Sequence, residues 1–266
     1  MASISGGERA GVEAGAGADR AGAAVASSVS AAACAPLLDV RELQAWYGES
    51  HVLHGVTFDV RPGEVVTLLG RNGAGKTTTL KSIMGILPKR KGSVTFQGKE
   101  LMHAPARYVA REGIAFCPEE RGIFSSLDVE ENLMLPPQVK PGGMSVEQIF
   151  ELFPNLKERL SSQGTKLSGG EQQMLAIGRI LRTGAKMLLL DEPTEGLAPV
   201  IIQQIGATIA RLKQEGFTIV LVEQNFRFAS TVADRHFVVE QGKVIDMIPN
   251  DELEANIDKI EAYLGV

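Results

Sequence analysis

The sequence predicts an α/β fold with a mainly parallel core sheet, to which an antiparallel β-subdomain and a helical subdomain attach. Short apolar, β-branched runs at 65–69, 187–190 and 217–222 are typical of buried strands. The first run leads through a glycine-rich loop into a segment of helical periodicity, and an amphipathic segment at 201–216 precedes the third. Strands that alternate with helices form mainly parallel sheets, which predicts this fold class.

The glycine-rich loop reads GRNGAGKT at 70–77, between the first strand and the first helix. A loop that binds the phosphates of a nucleoside triphosphate lies between a strand and a helix, as this one does. A glycine-rich loop that arose by chance and binds no nucleotide is the weaker alternative. The glycines let backbone N–H groups surround a β-phosphate, Lys76 supplies positive charge, and the Thr77 hydroxyl suits Mg²⁺. We therefore predict that the phosphates of a nucleoside triphosphate bind through Gly70, Asn72, Gly73, Ala74, Gly75, Lys76, Thr77 and Thr78.

Two acidic residues follow the apolar run 187–190. At the end of a parallel strand beside the glycine loop, Asp191 is suited to hold Mg²⁺ through water, and Glu192 to polarise an attacking water. An apolar run followed by an acid is alone a weak signal. The sequel DEPT and the segment LSGGEQ at 167–172 strengthen it.

The segment LSGGEQ opens a predicted helix. One interpretation is a capping box, with Ser168 as the N-cap and Glu171 as its partner. The other is a phosphate site at a helix N-terminus. Both can hold, but the capping box does not explain the double glycine before Glu171.

The three motifs, in this order, resemble those of the ATP-binding cassette family over roughly residues 37 to 266. The resemblance implies that Ser168, Gly169 and Gly170 close on ATP held by a second ATPase subunit. It also implies an aromatic that stacks on adenine, for which Tyr47 is favoured over its neighbour Trp46. A strand aromatic packed within the β-subdomain remains the alternative for Tyr47.

Three positions depart from the common family pattern. Glu119 stands where most members have a glutamine, and we assign it to the metal site with Thr77 and Asp191. Gln224 stands where most have a histidine, and we predict that it senses the γ-phosphate during catalysis with Lys76 and Glu192. The loop after DEPT reads EGLAP instead of ending in an aspartate.

With these departures, the chain resembles the smaller ATPase of branched-chain amino acid importers. The ATPases of urea and short-amide importers share much of the same pattern. The resemblance implies two transmembrane permease subunits, a second and different ATPase subunit, and a periplasmic solute-binding protein. It places the chain on the cytoplasmic face of the inner membrane as a peripheral subunit.

Composition fits a globular domain of this kind. Of 266 residues, 44% are hydrophobic and 22% charged, and the net charge of −5 argues against a nucleic-acid partner. No apolar stretch approaches the ~20 residues that cross a bilayer.

Domain organisation follows from composition and periodicity. Residues 1–36 are rich in Ala and Gly and predicted to be disordered, residues 37–266 form one cassette, and a helical subdomain spans about 122–183.

Other classes of nucleotide-binding protein fit the sequence less well. A kinase or GTPase would not need LSGGEQ, no NKxD sequence selects guanine, and the chain lacks the second cassette or coiled-coil arm of translation and DNA-maintenance proteins.

Overall fold

A computed structural model describes residues 35–265, so residues 1–34 of the tail that is predicted to be disordered (1–36) lie outside the described residues. Strands and helices follow one another in the order β1 (Leu38–Tyr47), β2 (Ser50–Val60), β3 (Val65–Leu69), α1 (Lys76–Ile83), β4 (Arg90–Phe96), β5 (Lys99–Glu100), α2 (Ala106–Glu112), β6 (Ile114–Cys117), α3 (Val129–Met134), α4 (Val146–Leu152), α5 (Pro154–Glu158), α6 (Gly169–Leu181), β7 (Met187–Asp191), α7 (Pro199–Gln214), β8 (Thr218–Glu223), α8 (Phe226–Ser230), β9 (Arg235–Glu240), β10 (Lys243–Pro249) and α9 (Ile257–Leu264). Short 3-10 turns lie at Gly164–Lys166, Asn250–Glu252 and Glu254–Asn256.

The strands form two sheets, as predicted. An antiparallel four-stranded sheet has the order β2-β1-β4-β5. The core sheet has six strands in the order β10-β9-β3-β8-β7-β6. All neighbours in it are parallel except β9 and β10, which form a hairpin through Gln241 and Gly242 at φ 45° and 72°. Two positive φ values in a two-residue loop match the right-handed twist of the paired strands.

The register of the core sheet brings the ends of its strands to one edge. Leu69 of β3 lies opposite Glu223 of β8, and Asp191 of β7 lies opposite Val222. Cys117 of β6 lies opposite Leu190. In parallel sheets ligands bind at the carboxyl edge, so the segments that follow these strands are placed to form one site.

The core strands are buried on both faces, which explains their nearly continuous apolar sequences. Alternate residues of β7 enter different clusters: Leu188 and Leu190 pack with α6 and α7, while Leu189 packs with α1 and the antiparallel sheet. In β8, Leu221 belongs to the first cluster and Val220 to the second. The sheet is therefore sandwiched between helices and the β-subdomain strands.

Helices α3 to α6 lie between β6 and β7, where the sequence predicts mainly helix. Capping boxes begin three of them, at Asp128, Ser145 and Ser168. A separate helical subdomain at about 122–183 stays a prediction. The last helix, α9, begins at Ile257, directly after two 3-10 turns.

Candidate functional site

The loop between β3 and α1 requires glycine at two positions. A Cβ on Gly70 would fall on the carbonyl oxygen of Val239 in β9. Gly75, which caps α1, has φ 107°, and its Cβ would lie 2.8 Å from Leu53 Cδ2. Only glycine adopts this conformation without strain at such close approach, so the sequence dictates the shape of the loop.

Lys76 is buried where the loop folds back on itself. Its ammonium group donates to the carbonyl oxygens of Gly70 at 2.7 Å and Arg71 at 3.1 Å. It also lies 3.3 Å from Oε1 of Glu192, and its side chain is only 3% exposed. A cation held in this way faces the region that the loop encloses and is placed to pair with a phosphate.

Asp191 ends β7 and contacts the start of α1. Thr77 donates from its hydroxyl to Asp191 Oδ1 at 2.9 Å, whereas Oδ2 is buried without a hydrogen-bond partner in the described part of the chain. Burial, with smaller contributions from the charges of Glu192 and Glu119, raises the pKa of Asp191 to about 6, and the Thr77 hydrogen bond opposes this shift. An unpartnered buried acceptor beside a hydroxyl fits a hard divalent cation such as Mg²⁺.

Glu192 is held in an uncommon backbone conformation with φ 45°. Its N–H donates to the carbonyl oxygen of Val222 in β8 at 3.0 Å. Oε2 accepts a hydrogen bond of 2.7 Å from Nε2 of Gln224, so the carboxylate lies between an amide and the Lys76 ammonium. A side-chain hydrogen bond with Glu192 raises the pKa of the nearby Glu195 carboxyl.

A cavity of about 380 Å³ opens onto these groups. It brings together most of the predicted phosphate and metal residues, and is lined by Val52, Asn72, Gly73, Gly75, Lys76, Thr77, Thr78, Glu119, Glu192 and Glu195. Three further predicted residues form hydrogen bonds with residues that line the cavity: Gly70 with Lys76, Asp191 with Thr77, and Gln224 with Glu192. Ala74 lines a smaller neighbouring cavity with Asn72 and Gly73.

Tyr47, predicted to stack on adenine, does not line this cavity. It lies at the end of β1 and is 47% exposed. The ring of its rival Trp46 stacks on His51, with 4.3 Å between the ring centroids and 8° between the planes. The His51 ring covers one face of Trp46, and the role of Tyr47 in stacking on adenine stays a prediction.

Ser168, Gly169 and Gly170 are not brought to the cavity either. They begin α6, where Ser168 forms the predicted capping box with Glu171 through hydrogen bonds of 3.3 and 2.7 Å. Ser168 is exposed. Both interpretations of LSGGEQ therefore stay compatible, because the cap is present and Ser168 is exposed.

Comparison with known proteins identifies the family. The family model described as "ABC transporter" matches residues 53–195, more than half of the chain. The chain belongs to the ABC transporter family.

Two relatives and one solved structure show which ABC proteins this chain is similar to. The high-affinity branched-chain amino acid transport ATP-binding protein BraG of Pseudomonas aeruginosa is 43% identical over 238 residues, covering 86% of this chain and 100% of BraG. The probable branched-chain amino acid transport ATP-binding protein LivF of Archaeoglobus fulgidus is 34% identical, covering 78% and 90%. An ATP-binding cassette of an ABC transporter, solved in its ADP conformation, matches with a TM-score of 0.73 and 25% identity, covering 87% of this chain and 99% of that one.

These findings confirm the predicted fold class and the predicted class of protein, an ABC cassette ATPase that binds nucleotide. The roles of individual site residues stay predictions. Among the described residues, no helix has both the length and the apolar character needed to span a bilayer.

Sequence reasoning missed several members of the site. Glu195 lies within the segment EPTEGLAP, but no role was assigned to it. Val52 carries no signal in the sequence, because its place beside the loop depends on how the antiparallel sheet packs. Glu223 and Thr194, which contact each other through their side chains, were also missed.

Proposed function

We propose that this ABC subunit hydrolyses ATP to power an importer of branched-chain or other hydrophobic amino acids. The observation that carries the hydrolytic part is the Glu192 carboxylate, held between Lys76 and Gln224 at the mouth of the phosphate loop. The solute class rests on the similarity to BraG over the whole of that protein. An importer of urea or short amides is the alternative, and a cassette without a transport role is less well supported.

Each residue of the site has a distinct role in binding or hydrolysing ATP. Lys76 pairs with the β- and γ-phosphates, in place of its contact with Glu192, and Asn72 and the loop N–H groups hold the chain of phosphates. Thr77 and Asp191, with Glu119 at the cavity wall, would hold Mg²⁺, which neutralises phosphate charge when bound. Glu192 accepts a hydrogen bond from the attacking water and takes up its proton. Gln224 donates from its amide to the γ-phosphate or to Glu192, without changing its own charge.

A second ATPase subunit completes the site. Ser168, Gly169 and Gly170 begin α6 and do not line the chain's own cavity, and Ser168 is exposed while Gly170 is buried. This placement supports a head-to-tail pair in which they contact the ATP of the partner. The partner is a similar second chain rather than a copy of this one, since the resembled subgroup usually uses two different ATPases.

The permease subunits need a surface to which they can bind. A largely apolar groove of about 360 Å³ is lined by residues that include Met84, Phe116, Val139 and Ile180. One wall is formed by residues 115–118, and the chain continues from there directly to Glu119 at the nucleotide cavity. We assign this groove to a permease segment, which would respond to events at the ATP through that short connection. The chain would then be a peripheral subunit on the cytoplasmic face of the membrane, with a periplasmic protein delivering solute to the permease.

Uptake measurements test the proposed function. A strain lacking the gene should lose high-affinity uptake of leucine, isoleucine or valine, and the wild-type gene should restore it. The Glu192→Gln variant should not restore uptake although the protein is present at the wild-type level. Loss of urea uptake with normal leucine uptake would favour the alternative importer, and normal uptake of both would contradict the proposal.

A further inference from the structure

Glu223 is a buried carboxylate next to the catalytic groups, at the carboxyl end of β8. Only 3% of the residue is exposed. Its Oε1 accepts a hydrogen bond of 2.7 Å from the hydroxyl of Thr194. This hydrogen bond therefore connects the turn that follows β7 with the end of β8, where the turn that carries Gln224 begins.

Each of these turns carries a residue of the hydrolytic site. Thr194 lies two residues after Glu192, and Asn225 directly follows Gln224. Glu192 adopts φ 45°, a conformation that residues other than glycine keep only where their surroundings impose it. On one side its N–H is bonded to Val222 of β8, and on the other Thr194 is bonded to Glu223. Two successive residues of β8 therefore hold the strained turn.

We propose that Glu223 is a positioning residue for ATP hydrolysis, which sets the separation of Glu192 and Gln224 by tying their two turns together. This inference rests on the proposed roles of those two residues. Glu223 itself does not touch the reacting atoms. Its effect is to hold the Glu192 carboxylate within reach of the Gln224 amide, a contact of 2.7 Å in this structure.

The chemistry of the contact assigns the donor and the acceptor. The Thr194 hydroxyl donates, and Oε1 of Glu223 can accept whether or not the other oxygen of the carboxyl group is protonated. Burial, with a smaller contribution from the charge of the nearby Glu192, raises the pKa of Glu223 to about 7, and the hydrogen bond from Thr194 opposes this shift.

The decisive test compares two substitutions of Thr194 in the assembled transporter. Thr194→Val keeps the shape of the side chain but removes the hydroxyl, and Thr194→Ser keeps the hydroxyl. We expect Thr194→Val to lower kcat for ATP hydrolysis by about 10- to 100-fold, because small misplacements of catalytic groups have effects of this size. Its KM for ATP should stay within about twofold of wild type, since the phosphate loop is untouched, and Thr194→Ser should restore most of the lost kcat.

A matched control and a second variant keep the test specific. Thr208 in α7 is also buried and donates its hydroxyl to the Gln204 carbonyl oxygen at 2.9 Å, so Thr208→Val measures the general effect of losing a buried hydroxyl. Glu223→Met, which keeps the length of the side chain but has no oxygen to accept the Thr194 hydroxyl, should lower kcat in the same way as Thr194→Val, and the double variant should be no slower than the slower single variant.

The outcomes separate this inference from the proposed function. If Glu192→Gln abolishes hydrolysis but Thr194→Val has a wild-type kcat, the positioning role is wrong and the proposed function stands. A parallel loss of kcat in Thr208→Val, or a rise in KM that accounts for the whole effect, would also overturn the positioning role. If Glu192→Gln hydrolyses ATP normally, the proposed site itself is wrong.

Discussion

Gln224 donates from Nε2 to Oε2 of Glu192 at 2.7 Å, and so links the ends of two neighbouring parallel strands. The amide can donate to a carboxylate or to a phosphate, and it does not ionise near neutral pH. The Gln224 amide is therefore suited to detect whether a γ-phosphate is bound, but it cannot transfer a proton.

Replacement of Gln224 tests this role. We expect Gln224→Ala to lose most ATPase activity while still binding ATP, because the donor next to Glu192 is removed. Gln224→His should keep substantial activity, since the ring restores a donor of similar reach. ATPase rates of both variants in the reconstituted transporter provide the measurement. An alanine variant as active as wild type would mean that the γ-phosphate is sensed elsewhere.

Lys76 should determine nucleotide affinity. Lys76→Ala removes a charge-assisted phosphate contact worth ~1.5–3 kcal/mol and should lose most ATP binding or turnover. Fluorescence titration with ATP and phosphate release measure the two effects. Lys81→Ala is a suitable control, because that lysine lies in the same helix and is 3.9 Å from Glu120, outside the phosphate loop. Near-normal binding and turnover in Lys76→Ala would remove the residue from the site.

Glu192 should act as the general base. Glu192→Gln preserves the shape of the side chain but cannot accept the proton of the attacking water, so hydrolysis should slow by ~10²–10⁴-fold. With Mg-ATP the variant should accumulate as an ATP-bound dimer with its partner subunit, detectable by size-exclusion chromatography. Unchanged turnover would eliminate Glu192 and leave Glu119 as the next candidate.

Gly169 should serve the ATP of the partner subunit. A Cβ at this position would lie 3.4 Å from Arg121 Nη1 and 3.5 Å from Leu197 Cδ2, which is ordinary contact, so Gly169→Asp should fold. Its added negative charge should leave ATP binding by the isolated chain nearly normal but prevent closure and transport in the complex.

Gly169→Ala, which adds volume without charge, is the control for this experiment. If the isolated Gly169→Asp chain loses nucleotide binding as severely as Lys76→Ala, with an intact circular dichroism spectrum, the role in trans is wrong.

Glu223 should make stability depend on pH. Burial raises its pKa from the ordinary 4.5 to about 7, so the folded state binds more protons than the unfolded state between these values. Its contribution to the free energy of unfolding is therefore complete at low pH and lost as pH rises towards 7, by about 1 to 3 kcal/mol. Glu223→Gln cannot ionise, and its stability deficit relative to wild type should be larger at pH 5 than at pH 8. Urea denaturation at both pH values measures this, and an equal deficit would show that Glu223 titrates normally.

Much of the phosphate loop could be predicted from the sequence because its determinants are local. Gly75 needs the positive φ that glycine tolerates, and Lys76 and Thr77 begin the helix that follows directly. The strands before Gly70 and Asp191 could be predicted from the sequence because burial on both faces of the sheet requires continuous apolar runs. The capping box at Ser168 is likewise set within four residues.

Contacts between segments distant in sequence were decided only by the tertiary structure. Gln224 meets Glu192, and Thr194 meets Glu223, because β8 lies beside β7 in parallel register. No local preference encodes which strands become neighbours, so the sequence alone indicated two acids and an amide but not the contact that joins them. Likewise, Trp46 and Tyr47 are adjacent aromatics in the sequence, and the tertiary structure gives them different surroundings, with His51 stacked on Trp46 and Tyr47 left 47% exposed. Local motifs thus determined which chemical groups this protein has, while the order and register of its strands decided which of them meet, since side chains at strand ends gain their partners from the neighbouring strand.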